Sequence, residues 1–128
     1  MYIDTNIILR AILNDHKTLS PKAQKFFRLA KKRKTKLNTT DLVIGEIFWV
    51  LESKKIEPKL SRKKAADIIL SFVNLIDLHF PSEEIFTKAI DIYKQTSLDI
   101  TDTFLYLKAK EENQKLKTYD KKLSKLKL

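Results

Sequence analysis

One glycine in 128 residues is the tightest constraint on this chain, and that residue, Gly45, sits beside a glutamate inside an apolar run. Loops that cradle phosphates need several glycines at fixed offsets, so neither GxxxxGKS/T nor GxGxxG can be written. Cysteine is absent, which removes disulfides, thiolate zinc sites and thiol nucleophiles. The two histidines, His16 and His79, lie far apart and form no HExxH pair.

A chain of 128 residues is expected to form one domain, residues 1–128, and to bury roughly two-thirds of its unfolded surface. Its hydrophobic fraction of 43% is that of a globular protein even at 33% charge. Lys plus Arg is 26 against 16 acidic residues, a net charge of +10. The excess is lysine, since arginine occurs only at Arg10, Arg28, Arg33 and Arg62. Lysine suits phosphate attraction better than bidentate base reading, so the charge leans towards nucleic acid. A solvated lysine-rich surface is the plainer alternative. Asp4 and Arg10 leave no signal-peptide core, and the apolar stretch from Leu42 to Leu51 is too short to span a bilayer and carries Glu46. A soluble cytoplasmic protein without a membrane partner is expected.

Along the chain, strand and helix signals alternate. Met1-Tyr2-Ile3 reads as a strand stopping at Asp4, with Asn6 able to cap a helix through Ile7, Ile8, Ala11 and Ile12. Ser20-Pro21 opens a second helix, which ends in Lys31-Lys32-Arg33-Lys34. Lys36-Leu37-Asn38 is a short strand candidate, and Thr39-Thr40-Asp41 starts a helix running from about Leu42 to Ser53. Residues 54–59 form a basic linker with Pro58, and Ser61 opens the next helix. Asn74 to Leu78, including Asp77, reads as a strand. Ser82-Glu83-Glu84 caps a helix carrying Ile85, Ala89 and Ile92, and Thr101 caps one more. Leu116 to Tyr119 is the last strand, followed by Asp120 and a short lysine-rich helix. Such alternation predicts an α/β fold, with helices on both faces of a central twisted parallel sheet in which Tyr2–Ile3 is central.

Most of the 16 acidic residues stand beside lysines on expected exposed helix faces. Four do not. Asp4 and Asp120 each follow a strand and precede a helix, where open parallel sheets place their ligand sites, although Asp is also a common N-cap there. Glu46 lies in a helix that is apolar on every side, which predicts burial and a paired lysine or a cation. It shares a face with Leu42, Val43, Trp49 and Val50. Asp102 falls in the first turn of a helix, where the macrodipole favours it, and Asp99 competes for the same role one turn earlier.

Together these residues resemble the PIN-domain ribonucleases. Ile3-Asp4-Thr5-Asn6 is similar to that family's DTN opening, and Val43-Ile44-Gly45-Glu46-Ile47 to its second acidic position. Asp102 with Phe104-Leu105-Tyr106, then Thr118-Tyr119-Asp120, resembles the closing part; the two aspartates stand 18 positions apart (120 − 102), which selects Asp102 over Asp99. Size and topology most resemble the VapC-type toxin branch. The family normally continues into a fifth strand, whereas Lys121 to Leu128 looks helical, so the last edge strand is expected either to be absent or to come from elsewhere.

The resemblance implies an endoribonuclease, hydrolysing RNA phosphodiesters with Mg²⁺ or Mn²⁺ held by Asp4, Glu46, Asp102 and Asp120. An all-oxygen ligand set suits these hard cations. Thr5, Asn6 and Thr118 would orient the carboxylates or waters. The implied partners are RNA, a second copy of the chain and a cognate antitoxin. The basic runs at 31–36, 54–64 and 115–127 would hold the RNA backbone, with Lys31, Lys32 and Lys34 the first candidates. Trp49 and Tyr119 are candidates for stacking on bases, against the reading of Trp49 as core. A non-catalytic RNA-binding module on the same fold is the main rival. A receiver-like phosphoacceptor domain ranks behind it, because Asp4-Thr5-Asn6 supplies one acid where that site needs two.

Overall fold

Three short apolar segments meet in parallel in the computed structural model, which describes residues 1–53, 56 and 59–126. Strand β1 (Leu37–Asn38) pairs with β2 (Leu78–His79), Leu37 opposite Leu78 and Asn38 opposite His79. Tyr2 bridges Asn38, also in parallel. The ladder continues beyond the strands: Ile3 N donates to Asn38 O at 2.9 Å, Asn38 N to Met1 O at 2.8 Å and Thr39 N to His79 O at 2.9 Å. Within this part of the chain β1 has neighbours on both sides, where the sequence reading puts Tyr2–Ile3 centrally. Burial explains the exchange, since Leu37 is 1% exposed and Tyr2 76%.

Parallel neighbours need a crossover, and helices supply each one. The chain divides into two compact units, Met1–Pro81 and Ser82–Leu128. In the first, α1 (Thr5–Leu13) and α2 (Leu19–Lys32) lead to β1, and α3 (Asp41–Glu52) and α4 (Arg62–Ile76) lead to β2. Helix α1 packs on α2 and α3, and α4 packs on α2 and α3. Ile8, Phe27, Ile44, Ile47, Phe48 and Ile69 fill the core, and Phe27 meets Phe72 edge to face at 5.1 Å. In the second unit a 3₁₀ turn (Glu83–Ile85) runs into α5 (Phe86–Gln95), which packs on α6 (Ile100–Glu111). Buried Phe86, Ile90, Tyr93, Leu98 and Phe104 form its centre. A single short turn, α7 (Lys121–Ser124), follows. This is a mostly helical α/β arrangement, with regular strand among the described residues confined to β1 and β2. No described helix is long and apolar enough to cross a membrane.

Several local expectations are corrected. Of the strand expected over 74–78, only Leu78 is in a strand, β2; residues 74–76 are the last turn of α4, because Ile69, Val73 and Ile76 continue the helical spacing until Asp77 ends it at φ 52°. Residues 116–119, expected as the last strand, join no ladder among the described residues. Lys117 and Tyr119 are exposed and Leu116 and Thr118 only half-buried, so no buried face sets a register. Asp4, not Asn6, caps α1. Ser20 lies inside α2, where its Oγ accepts from His16 N, and the His16 ring instead takes the free N–H groups of Thr18 and Leu19 through Nδ1. Ser82 makes no side-chain cap, and Asp99 rather than Thr101 holds the N-cap position of α6. Thr40 and Ser61 do cap α3 and α4 as expected, accepting from Val43 N and Lys64 N. Most of the basic linker at 54–59 lies outside the described residues.

The scarcity of glycine shows in the backbone. Among the described residues four take positive φ, and none is glycine: Asn14 (51°), Lys34 (54°), Asp77 (52°) and Asn113 (54°). Asn and Asp tolerate the left-handed region through local hydrogen bonding, whereas Lys carries the full Cβ penalty of roughly 1–2 kcal/mol. Lys34→Gly is therefore expected to raise the melting temperature by about 2–6 °C. An unchanged or lower melting temperature would show that residue 34 does not hold this conformation.

Candidate active site

The ladder that pairs residues 1–3 with β1 ends both segments at the same edge, and a helix starts directly after each. Asp4 is the N-cap of α1, its Oδ1 accepting from Ile7 N at 3.2 Å. Thr5, the first residue of that helix, donates its hydroxyl to Glu46 Oε2 at 2.5 Å, within the range for an O–H bonded to a carboxylate. Asp4, Thr5, Asn6 and Glu46 line one open groove of about 390 Å³, with Leu9, Trp49 and Val50 as its apolar part. The sequence reading brings these four polar residues together, and so does the fold.

Glu46 is not in the surroundings that the sequence predicts. Helix α3 is apolar all round but not buried all round: Leu42 is 61% and Trp49 43% exposed, and Glu46 is half-buried on that open face. Gly45, buried on the other side, lets the helix sit close to its neighbours. No lysine pairs with Glu46 among the described residues; its partner is the neutral Thr5 hydroxyl.

In the second unit, Asp102 lies half-buried in the first turn of α6, after Asp99 at the N-cap. Burial holds its carboxyl above the ordinary value of 3.8, and the charges of Asp99 and Asp120 push it further the same way. An Asp99 backbone hydrogen bond opposes them more weakly. Asp120 caps α7, its Oδ1 accepting from Lys122 N at 2.8 Å and Leu123 N at 3.1 Å. Thr118 Oγ1 accepts from Asp120 N at 3.0 Å, so this threonine positions the aspartate through its backbone. Tyr119 is 91% exposed, with Lys117 Nζ 5.0 Å from its ring centre.

These carboxylates, hydroxyls and amides are all oxygen-donor chemistry suited to a hard divalent cation. Asp4 Oδ2, Glu46 Oε1 and Asp120 Oδ2 accept no hydrogen bond among the described residues. Among those residues, no three carboxylate or imidazole groups gather closely enough to hold a metal ion between them.

The lysines fall elsewhere. Lys31, Lys32 and Lys34 are exposed at the end of α2, and Lys31 lines a separate hollow with Phe27, Phe72 and Leu75. The cations beside the acidic groove are Arg10 and Lys22, which share a neighbouring hollow with Asn6. Sequence reasoning passes over them. The signal lay in the spacing, because Arg10 is four residues after Asn6 on one helix and so shares its face.

Two comparisons with known proteins, one against curated sequences and one against solved structures, gave no match. A family model described as the PIN domain matches residues 1–127. The chain belongs to the PIN-domain family, whose members are generally metal-dependent nucleases.

A raised Asp102 has a defined consequence for stability. Between its ordinary value and its raised one, the folded chain keeps a proton that the unfolded chain has released, so stability falls as pH rises. The penalty is absent below the ordinary value and complete above the raised one. Denaturant unfolding of wild type and Asp102→Asn from about pH 3 to about pH 8 isolates it. The wild type is expected to lose stability relative to the variant as pH increases in metal-free buffer. A constant difference would remove the repulsive cluster of Asp99, Asp102 and Asp120.

Proposed function

We propose that this chain, acting as one domain over 1–128, is an Mg²⁺- or Mn²⁺-dependent endoribonuclease of the VapC-type branch, the toxin of a toxin–antitoxin pair, working in the cytoplasm as a homodimer. The observation that carries the reading is the groove in which Asp4 and Glu46 stand with Thr5 and Asn6, in a chain matched to a nuclease family. The residues proposed as cation ligands are, within the first unit, Asp4 and Glu46 and, within the second, Asp102 and Asp120, with Asp99 as a further candidate. A cation bound by these residues would supply activation of the attacking water and stabilisation of the leaving oxygen.

The chain's own side chains prepare that chemistry. Cap bonds fix Asp4 and Asp120 by one oxygen each and leave the other free. Thr5 orients Glu46 without neutralising it. Thr118 holds the Asp120 backbone. A carboxyl whose burial and neighbours disfavour ionisation, as for Asp102, gains most from a cation. The net charge of +10 draws the polyanion, with Lys31, Lys32 and Lys34 as distant backbone contacts and Arg10 and Lys22 as near ones. The rival, a non-catalytic RNA-binding module, draws support from the same caps, since Asp4 and Asp120 already have structural work.

Asp4→Asn and Asp120→Asn separate the two readings, because asparagine caps as well as aspartate but carries no charge. Each variant is expected to melt within about 2 °C of wild type while cleavage of RNA in Mg²⁺ or Mn²⁺ is lost. Wild-type cleavage is expected to stop in EDTA, and a divalent cation to raise the wild-type melting temperature. Full cleavage by the variants, or superimposed melts with and without Mn²⁺, would leave the binding module. RNA affinity is expected to fall steeply with salt in every variant, through counterion release. Salt-independent binding would mean that the positive charge serves solubility alone.

A further inference from the structure

The proposed site accounts for the polar wall of the groove and leaves its apolar residue without a task. Trp49 is the only tryptophan in the chain, and 43% of it is exposed. It stands one helical turn after Glu46 on α3 and lines the same groove as Asp4 and Glu46, beside Leu9 and Val50. Among the described residues its ring has no aromatic neighbour and its indole N–H no hydrogen-bond partner. Half-buried Val50 and buried Leu9 line the same groove, and Trp49 is the most exposed of its apolar residues. Burial therefore does not explain why this position carries the largest apolar side chain.

We propose that Trp49 is a base-stacking residue, seating the nucleobase next to the phosphate that the acidic residues address. The inference rests on the nuclease reading for the phosphate and on the groove for the base. Asp4 and Glu46 repel phosphate unless a cation intervenes, so the groove needs an uncharged hold on the substrate. An indole face supplies one that accepts any base. Its distance from Glu46, about 5 Å along the helix axis, puts the stacking surface beside the chemistry rather than at a remote anchor. Trp49 would thus select an unstacked nucleotide and set which base is preferred by stacking strength, with no base-edge hydrogen bond required.

A single tryptophan makes the test direct. Fluorescence of the full wild-type chain is titrated in EDTA with oligoadenylate and with polyphosphate of matched charge. Saturable quenching by oligoadenylate and none by polyphosphate is expected. In Mg²⁺, Trp49→Ala is expected to raise the KM for RNA roughly tenfold to a hundredfold with kcat within a few fold. Trp49→Phe should restore most of the loss, since a phenyl face still stacks. Equal quenching by both polyanions, quenching by neither, or an unchanged KM in Trp49→Ala would overturn the proposal. So would a Trp49→Ala chain that keeps its KM and changes mass in light scattering, which would make this face a protein contact. If Trp49→Ala fails to fold, the wild-type titration and Trp49→Phe still decide. If no chain cleaves RNA, the nuclease reading fails while the quenching result still stands or falls alone.

Discussion

The parallel ladder between residues 1–3, β1 and β2 is the interaction on which the first unit depends. It is only a few hydrogen bonds long, yet it ends two segments at the same edge. Thr39 reinforces it, its buried hydroxyl donating to Ile3 O at 2.9 Å. Because each segment stops there, a helix begins there, and the caps Asp4 and Thr40 fall side by side in the scheme of the fold. Glu46 then arrives in the second turn of α3 and meets the first residue of α1. Weakening the ladder would shift the start of both helices, and with it the bond that orients the glutamate.

Capping and ligand chemistry are usually weighed as rivals for the same aspartate, but here the geometry lets both hold. A cap uses one carboxylate oxygen and fixes the side chain's rotation, which is the service a second-layer hydrogen bond gives to a metal ligand. Asp4 and Asp120 each meet that condition. Asp102 differs, since it is not a cap, and its burial, then its anionic neighbours, make its ionised form the disfavoured one.

What could be read from the sequence follows from how local each signal is. Asp4, Thr40 and Ser61 at helix starts were legible because a side chain and the backbone within three or four residues decide them, whereas Asp4 and Glu46, distant in the chain, were paired through the family resemblance. The strand expected at 116–119 was not, since a short apolar run becomes a strand only where a neighbour offers a ladder, and nothing local records that. The same ambiguity started the strand at 74, on the last turn of α4, when β2 begins at Leu78. His16 escaped notice as a cap because its ring nitrogen does the work usually given to Ser or Asp. Glu46 was singled out for a burial that it does not have. Apolar residues on every side of a helix do not require protein on every side, and Leu42 and Trp49 are left at the surface.

That exposed face also bears on the proposed role of Glu46. In a chain with 26 basic residues, a carboxylate kept only for structure has basic partners to draw on, as Glu52 draws on Arg62 at 2.7 Å and Asp15 on Arg10 at 3.2 Å. Glu46 is held by a hydroxyl instead. A hydroxyl fixes direction and leaves the negative charge in place, whereas an ammonium group would cancel it. Arg10 is near, across Asn6, but its own partner is Asp15. On the proposed reading, that oriented and uncancelled carboxylate is one of the groups that a cation from outside the chain would meet.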